Sequence, residues 1–143
     1  MRIFEKDSKT NFVDQHDVLV GFDSWQSCCE SFGYHFAASS EQGAEEISQP
    51  TNLEGMLFDR GFFVQHDDDD GWGDGGGQAV FRLVDARIKR GGRDEEMRRH
   101  ERRLQAEGGL PEVYLVLYNH HNGYYSHGFS MEVGGTVLHS GYI

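Results

Sequence analysis

The dipeptide Asn122-Gly123 separates two aromatic-rich stretches that carry histidines, Tyr118–His121 and Tyr124–Phe129. A type I′ turn needs positive φ at both central residues, and Asn-Gly meets that need with little strain. The pattern predicts a β-hairpin. Gly134-Gly135 marks a second turn. The chain from residue 112 onward is therefore expected to form a three-stranded meander: Glu112–His121, Tyr124–Val133 and Thr136–Tyr142.

A two-residue turn fixes register. It sets His121 opposite Tyr124, His120 opposite Tyr125, Tyr118 opposite His127, Val116 opposite Phe129 and Tyr114 opposite Met131. The second turn sets Met131 opposite Leu138, Phe129 opposite Ser140 and His127 opposite Tyr142. One face would then hold Tyr118, His120, Tyr125, His127 and Tyr142, a candidate polar–aromatic cluster. His120 and His127 would be diagonal neighbours, close enough to share a metal or an anion. A third ligand would have to come from Cys28, Asp23 or His35, and no His-x-x-x-His, Cys-x-x-Cys or His-Glu-x-x-His spacing supplies one. The favoured reading is a hydrogen-bonded Tyr/His cluster in the sheet, with no metal and no cofactor. Strand Glu112–His121 is apolar on both faces, so it is expected inside a sheet.

Upstream, Val18–Phe22 reads as a buried strand. Asp23 or Ser24 can cap a following helix, on which Trp25, Cys28 and Phe32 share one face and which Gly33 ends. Tyr34–Ala38 returns as a strand. Residues 39–55 read as a loop with at most one helical turn, Met56–Gln65 as one strand or two short pieces, and Gln78–Lys89 as a long strand. Asp67–Gly77 reads as an acidic, glycine-rich loop. Residues 90–109 carry six arginines and five carboxylates but almost no apolar side chains. They read as an exposed excursion with helical propensity, stabilised by pairs such as Glu95–Arg99. The predicted architecture is a single α+β domain over 1–143, mainly antiparallel sheet with one or two short helices.

At 143 residues with 13% aromatics the chain can bury a real core. Its net charge of -11 opposes direct binding to nucleic-acid phosphates and favours a protein partner with a basic surface. No apolar run approaches the length of a membrane span and no secretory signal is visible, so a cytoplasmic setting is expected. Cys28 and Cys29 are the only cysteines, adjacent and poorly placed to bridge each other. With Asp23 they mark a candidate thiol at a helix start, where the dipole lowers a thiol pKa. The competing reading is a buried, inert cysteine. His66–Asp74 resembles a calcium loop only in its middle. His66 stands where the first carboxylate belongs, and Gly77 where the bidentate Glu belongs. There is no Walker loop, dinucleotide fingerprint or Gly-x-Ser-x-Gly.

Two segments, Gly21-Phe-Asp-Ser-Trp-Gln-Ser-Cys-Cys-Glu-Ser-Phe-Gly33 and Leu117-Tyr-Asn-His-His-Asn-Gly-Tyr-Tyr-Ser-His-Gly-Phe129, resemble a small domain of unknown function from bacteriophages, plasmids and bacteria. Its hallmarks are a Cys-Cys-Glu helix start after a strand and an Asn-x-His-Asn-Gly-Tyr-Tyr-x-His-Gly-Phe hairpin. The resemblance implies a mobile-element setting inside a bacterial host and carries no activity. With the acidic charge, it implies a non-enzymatic, protein-binding accessory factor, for instance an inhibitor of a host nuclease or defence complex. The alternatives are a metal- or thiol-dependent enzyme using His120, His127 and Cys28 or Cys29, and a structural or virion component.

Overall fold

A computed structural model describes residues 1–25, 31–67, 75–88, 95–121 and 126–143. The described residues form two antiparallel sheets and one α-helix. The strands are β1 (Arg2–Lys6), β2 (Lys9–Val13), β3 (Val18–Asp23), β4 (Ser31–Ala37), β5 (Glu46–Ile47), β6 (Met56–Phe58), β7 (Val64–Asp67), β8 (Gly75–Asp85), β9 (Glu112–His121), β10 (Gly128–Val133) and β11 (Thr136–Tyr142). The helix α1 is Glu95–Ala106, and a 3-10 turn covers Leu53–Gly55. The first sheet runs β1-β2-β3-β10-β11. The second runs β5-β4-β9-β8-β6, with β7 also on β8. The expectation of a mainly antiparallel sheet with a short helix holds at that level, and strand dominates.

The sheets pack face to face because their strands alternate. In the first, Phe12, Val18, Val20, Phe22, Phe129 and Met131 point inward. In the second, Phe36, Phe58, Ala79, Phe81, Leu83, Val113, Leu115 and Leu117 do so, and all join one core. Edge-on ring contacts cross the gap: Phe12–Tyr34 at 4.9 Å, Phe22–Phe32 at 6.3 Å and Phe81–Phe129 at 6.1 Å. Asp14, buried in the β2–β3 turn, is a polar tie across the same gap. Its Oδ1 accepts from the backbone N–H of His16 (2.8 Å) and Val18 (3.0 Å), and its Oδ2 from that of Phe58 (2.9 Å) in the other sheet.

The three-stranded meander does not form. β9 pairs with β8 and β4, whereas β10 pairs with β3 and β11 in the other sheet. A strand has only two edges, and both edges of β9 are taken. The interior placement expected for β9 is correct, and it leaves no edge for β10. The expected pairings of Tyr118 with His127, Val116 with Phe129 and Tyr114 with Met131 are therefore absent; those of His121 with Tyr124 and His120 with Tyr125 fall on residues 122–125, which lie outside the described residues. The Gly134-Gly135 hairpin does form, with Val133 opposite Thr136, but a bulge at Leu138 shifts the register beyond it. His139 opposes Met131, Gly141 opposes Phe129 and Tyr142 opposes Gly128, each one residue from expectation.

The expected end of the first helix is also overturned. Ser31, Phe32 and Gly33 open β4, because Phe32, Tyr34 and Phe36 follow the strand period of two and turn toward the first sheet, Phe32 and Phe36 into the core and the exposed Tyr34 against Phe12. Cys28 and Cys29 lie outside the described residues. β7 ends at Asp67 and β8 begins at Gly75, so the borders of the expected acidic loop are strand. Within 90–109, α1 is a formed helix with Leu104 buried at 3% exposure.

Candidate functional site

The two segments that carry the resemblance meet at one end of the sandwich. Phe22 pairs with Phe129 in the first sheet; Ser31 pairs with His120 and Phe32 with Asn119 in the second. Between them sits His127, just before β10 and fully buried. Its imidazole lies flat on Trp25, with centroids 5.0 Å apart and planes 6° apart, and packs on Phe32 at 4.3 Å and Phe22 at 5.8 Å. Its Nδ1 bonds the carbonyl of Asp23. With that nitrogen carrying the proton, the tautomer is fixed.

Backbone and side-chain bonds hold this arrangement. His127 and Ile143 exchange backbone bonds of 2.8 and 3.0 Å, and the buried Asn119 amide donates to the Ile143 carbonyl at 3.0 Å. Asp23 carries its carboxylate on the outer face, where Oδ2 accepts from the Gly128 N–H at 3.0 Å and Oδ1 lies 4.0 Å from the Lys9 ammonium. A Cβ on Gly128 would stand 3.0 Å from Asp23 Oδ2 and 3.2 Å from the Tyr142 ring, so glycine lets both approach that backbone without crowding. Tyr142 is 71% exposed and Trp25 43%.

The structure thus divides the candidate cluster. His127 is inside the sandwich, packed on the face of the second sheet that carries Asn119. His120 is exposed on the opposite face, with Tyr118 at 6.3 Å between ring centroids and His35 beyond it, 5.6 Å from Tyr118. Tyr118 also covers Gly33, where a Cβ would lie 2.9 Å from its hydroxyl. The expected diagonal pair of His120 and His127 is absent, because β9 and the segment before β10 belong to different sheets. Tyr142 joins His127's neighbourhood through Gly128, on the outer face of the first sheet. Among the described residues no group of three His, Cys, Asp or Glu side chains is placed to hold a metal ion. Trp25, the residue that orders this end, gives one signal in the sequence, an aromatic directly after a strand and a cap residue.

No protein-family model, curated protein or solved structure matches this chain. The resemblance of the two segments rests on their residues alone. Among the described residues no helix is long and apolar enough to cross a membrane.

At the opposite end of the sandwich lie two clefts of about 490 and 500 Å3 that share Gln15, Thr51 and Glu54. Beside them Asp85, buried at the end of β8, receives Arg87 in a two-point contact (3.0 Å each) and the Asn52 amide at 2.8 Å. Burial alone would raise the Asp85 carboxyl. The hydrogen bonds from Arg87 and Asn52 outweigh it and hold the group below its ordinary 3.8. The same pair raises the Arg87 guanidinium further.

Proposed function

We propose that the protein is a non-catalytic binding factor whose Trp25–Asp23–Tyr142 surface receives a basic patch on a partner protein. One observation carries this reading: the Asp23 carboxylate and the exposed Tyr142 ring both close on Gly128, next to the buried His127 on which the part-exposed Trp25 stacks. Tryptophan and tyrosine dominate interface energetics because they supply large rigid surface at low entropic cost. An aromatic face beside a carboxylate also suits a lysine or arginine, which gains a cation–π contact of about 0.5–2 kcal/mol with a charge-assisted hydrogen bond. The net charge of -11 steers a basic partner toward the protein from a distance.

The mobile-element setting in a bacterial cytoplasm, and inhibition of a host nuclease or defence complex, are the concrete form we propose for this binding. The resemblance of the two segments and the acidic charge support it. The test is affinity capture from host lysate with wild-type protein beside a Trp25→Ala/Tyr142→Ala variant. The expected result is a partner with a basic surface that the wild type retains and the variant loses. Recovery of nothing above background by the wild type would overturn the proposal.

A further inference from the structure

The outer faces of the two sheets differ. On the second sheet, Ala44 and Phe62, from the segments before β5 and β7, pack on Ala37, Val80 and Val116, and the His66 ring bonds the Ser40 carbonyl at 2.7 Å. The chain thus covers that face itself. The outer face of the first sheet leaves Phe4, Val137 and Tyr142 exposed, with Val13 and Leu19 half-buried.

Register arranges this face in rows. In one, Lys6 lies beside Lys9 and Lys9 beside Asp23. In another, Arg2 lies beside Val13, Val13 beside Leu19 and Leu19 beside Glu132. The row between them runs from the Phe4 ring to Asn11, Gly21 and Ser130, so its floor is low. The cations Arg2, Lys6 and Lys9 therefore stand on β1 and β2, and the carboxylates Asp23 and Glu132 on β3 and β10. On a chain of net charge -11, two copies can approach here without the like-charge repulsion that the acidic total would impose. Lys6 directly opposite Lys9 is a repulsive pair, which a carboxylate laid over it relieves. Lys9 and Asp23 of one chain pair only loosely, at 4.0 Å, so each keeps capacity for a second partner.

We propose that a second copy docks face to face on this sheet, about a two-fold axis that runs along the strands between β2 and β3. That axis lays β2 over β3 of the second copy and β1 over its β10. Lys9 then meets Asp23 of the second copy, Arg2 meets its Glu132, and Val13 meets its Leu19. Phe4 comes down on the low floor at Ser130 and Gly21. Each contact occurs twice, so the interface is self-complementary and closes at a dimer. The overlap is about 19 Å across four strands and about 17 Å along them, a small patch that gives a weak dimer. β11 and the Trp25 end stay outside it. The dimer is therefore independent of the partner-binding surface and shares only Asp23 with it.

Sedimentation equilibrium at about 0.15 M salt, with protein up to about 0.5 mM, tests this on wild type, Arg2→Glu and Glu132→Arg. The wild-type average mass should rise with concentration to twice that of the chain and no further. Each single variant puts like charges at both Arg2–Glu132 contacts and should associate at least about tenfold more weakly. An equimolar mixture of the two restores an opposite pair at both contacts and should dimerise as the wild type does. So should the double variant Arg2→Glu/Glu132→Arg. Circular dichroism checks that all variants keep the fold. The Trp25→Ala/Tyr142→Ala variant should dimerise normally, which separates this contact from the partner-binding surface. A monomeric wild type, growth beyond a dimer, or a mixture no better than its components overturns the proposal.

Discussion

The imidazole of His127 lies flat against the indole of Trp25, 5.0 Å between centroids and 6° between planes. One ring is fully buried and the other 43% exposed, so the stack links the core to the surface. His127→Ala removes a buried ring and its bond to the Asp23 carbonyl, at a cost of about 2–4 kcal/mol. Trp25→Ala should cost less, about 1 kcal/mol, since much of that ring is already in water. Urea unfolding of both variants gives the order. If Trp25→Ala costs as much as His127→Ala, the stack is not arranged as described.

Asp14 satisfies three backbone N–H groups from two sheets with one carboxylate. Asp14→Ala leaves those donors without their acceptor and should destabilise by about 2–4 kcal/mol. Asp14→Asn keeps the oxygen facing the turn but presents an amide to Phe58 N–H, so it should fall between wild type and alanine. Chemical denaturation of the two variants measures this.

Gly76 and Gly77 open β8 with φ of 119° and 150°, and a Cβ on either would stand 2.1 Å from a carbonyl oxygen, of Asn119 or His66 respectively. Neither conformation nor space admits a side chain. Gly77→Ala should cost about 1–3 kcal/mol from backbone strain alone, and the clash adds to that. Hydrogen exchange should show lost protection first at Gln65–Asp67. Unchanged exchange there would refute the close approach.

Asp85 titrates below its ordinary value in the folded protein. A group with a depressed folded pKa stabilises fully above the unfolded value, and that contribution is lost as pH falls through the folded one. Stability should therefore decline below about pH 4. Arg87→Gln removes the leading donor to a buried carboxylate. It should lower stability at pH 7 by about 1–3 kcal/mol and shift the acid decline to higher pH. Thermal melts between pH 3 and 7 follow both effects.

Much of the secondary structure was legible because strand alternation is local. Val18–Phe22 reads as an apolar run, Glu112–His121 as a strand apolar on both faces and Gly134-Gly135 as a turn, and all three form; the strand expected over Gln78–Lys89 runs instead over Gly75–Asp85. The arginine-rich segment read as exposed with helical propensity, and it forms a helix docked through Leu104. The first helix was misread at its end. Trp25, Cys28 and Phe32 fit a helical face, but Phe32, Tyr34 and Phe36 fit a strand, and packing against Phe12 and Phe22 decides for the strand.

By itself the sequence determined several of the strands, that β9 lies inside a sheet, and that the protein is acidic with one basic segment; β1, β2, β5 and the start of β4 were not legible in it. Tertiary structure decided which strands pair. Asn122-Gly123 signals a local turn, but turn propensity contributes about 1 kcal/mol or less, while pairing both edges of β9 with β4 and β8 and burying Val113, Leu115 and Leu117 in the core contributes far more. Once both edges of β9 are taken, β10 must pair elsewhere. That choice places His120 and His127 on opposite faces of the second sheet. It makes His127 a buried support for Trp25 instead of half of a histidine pair.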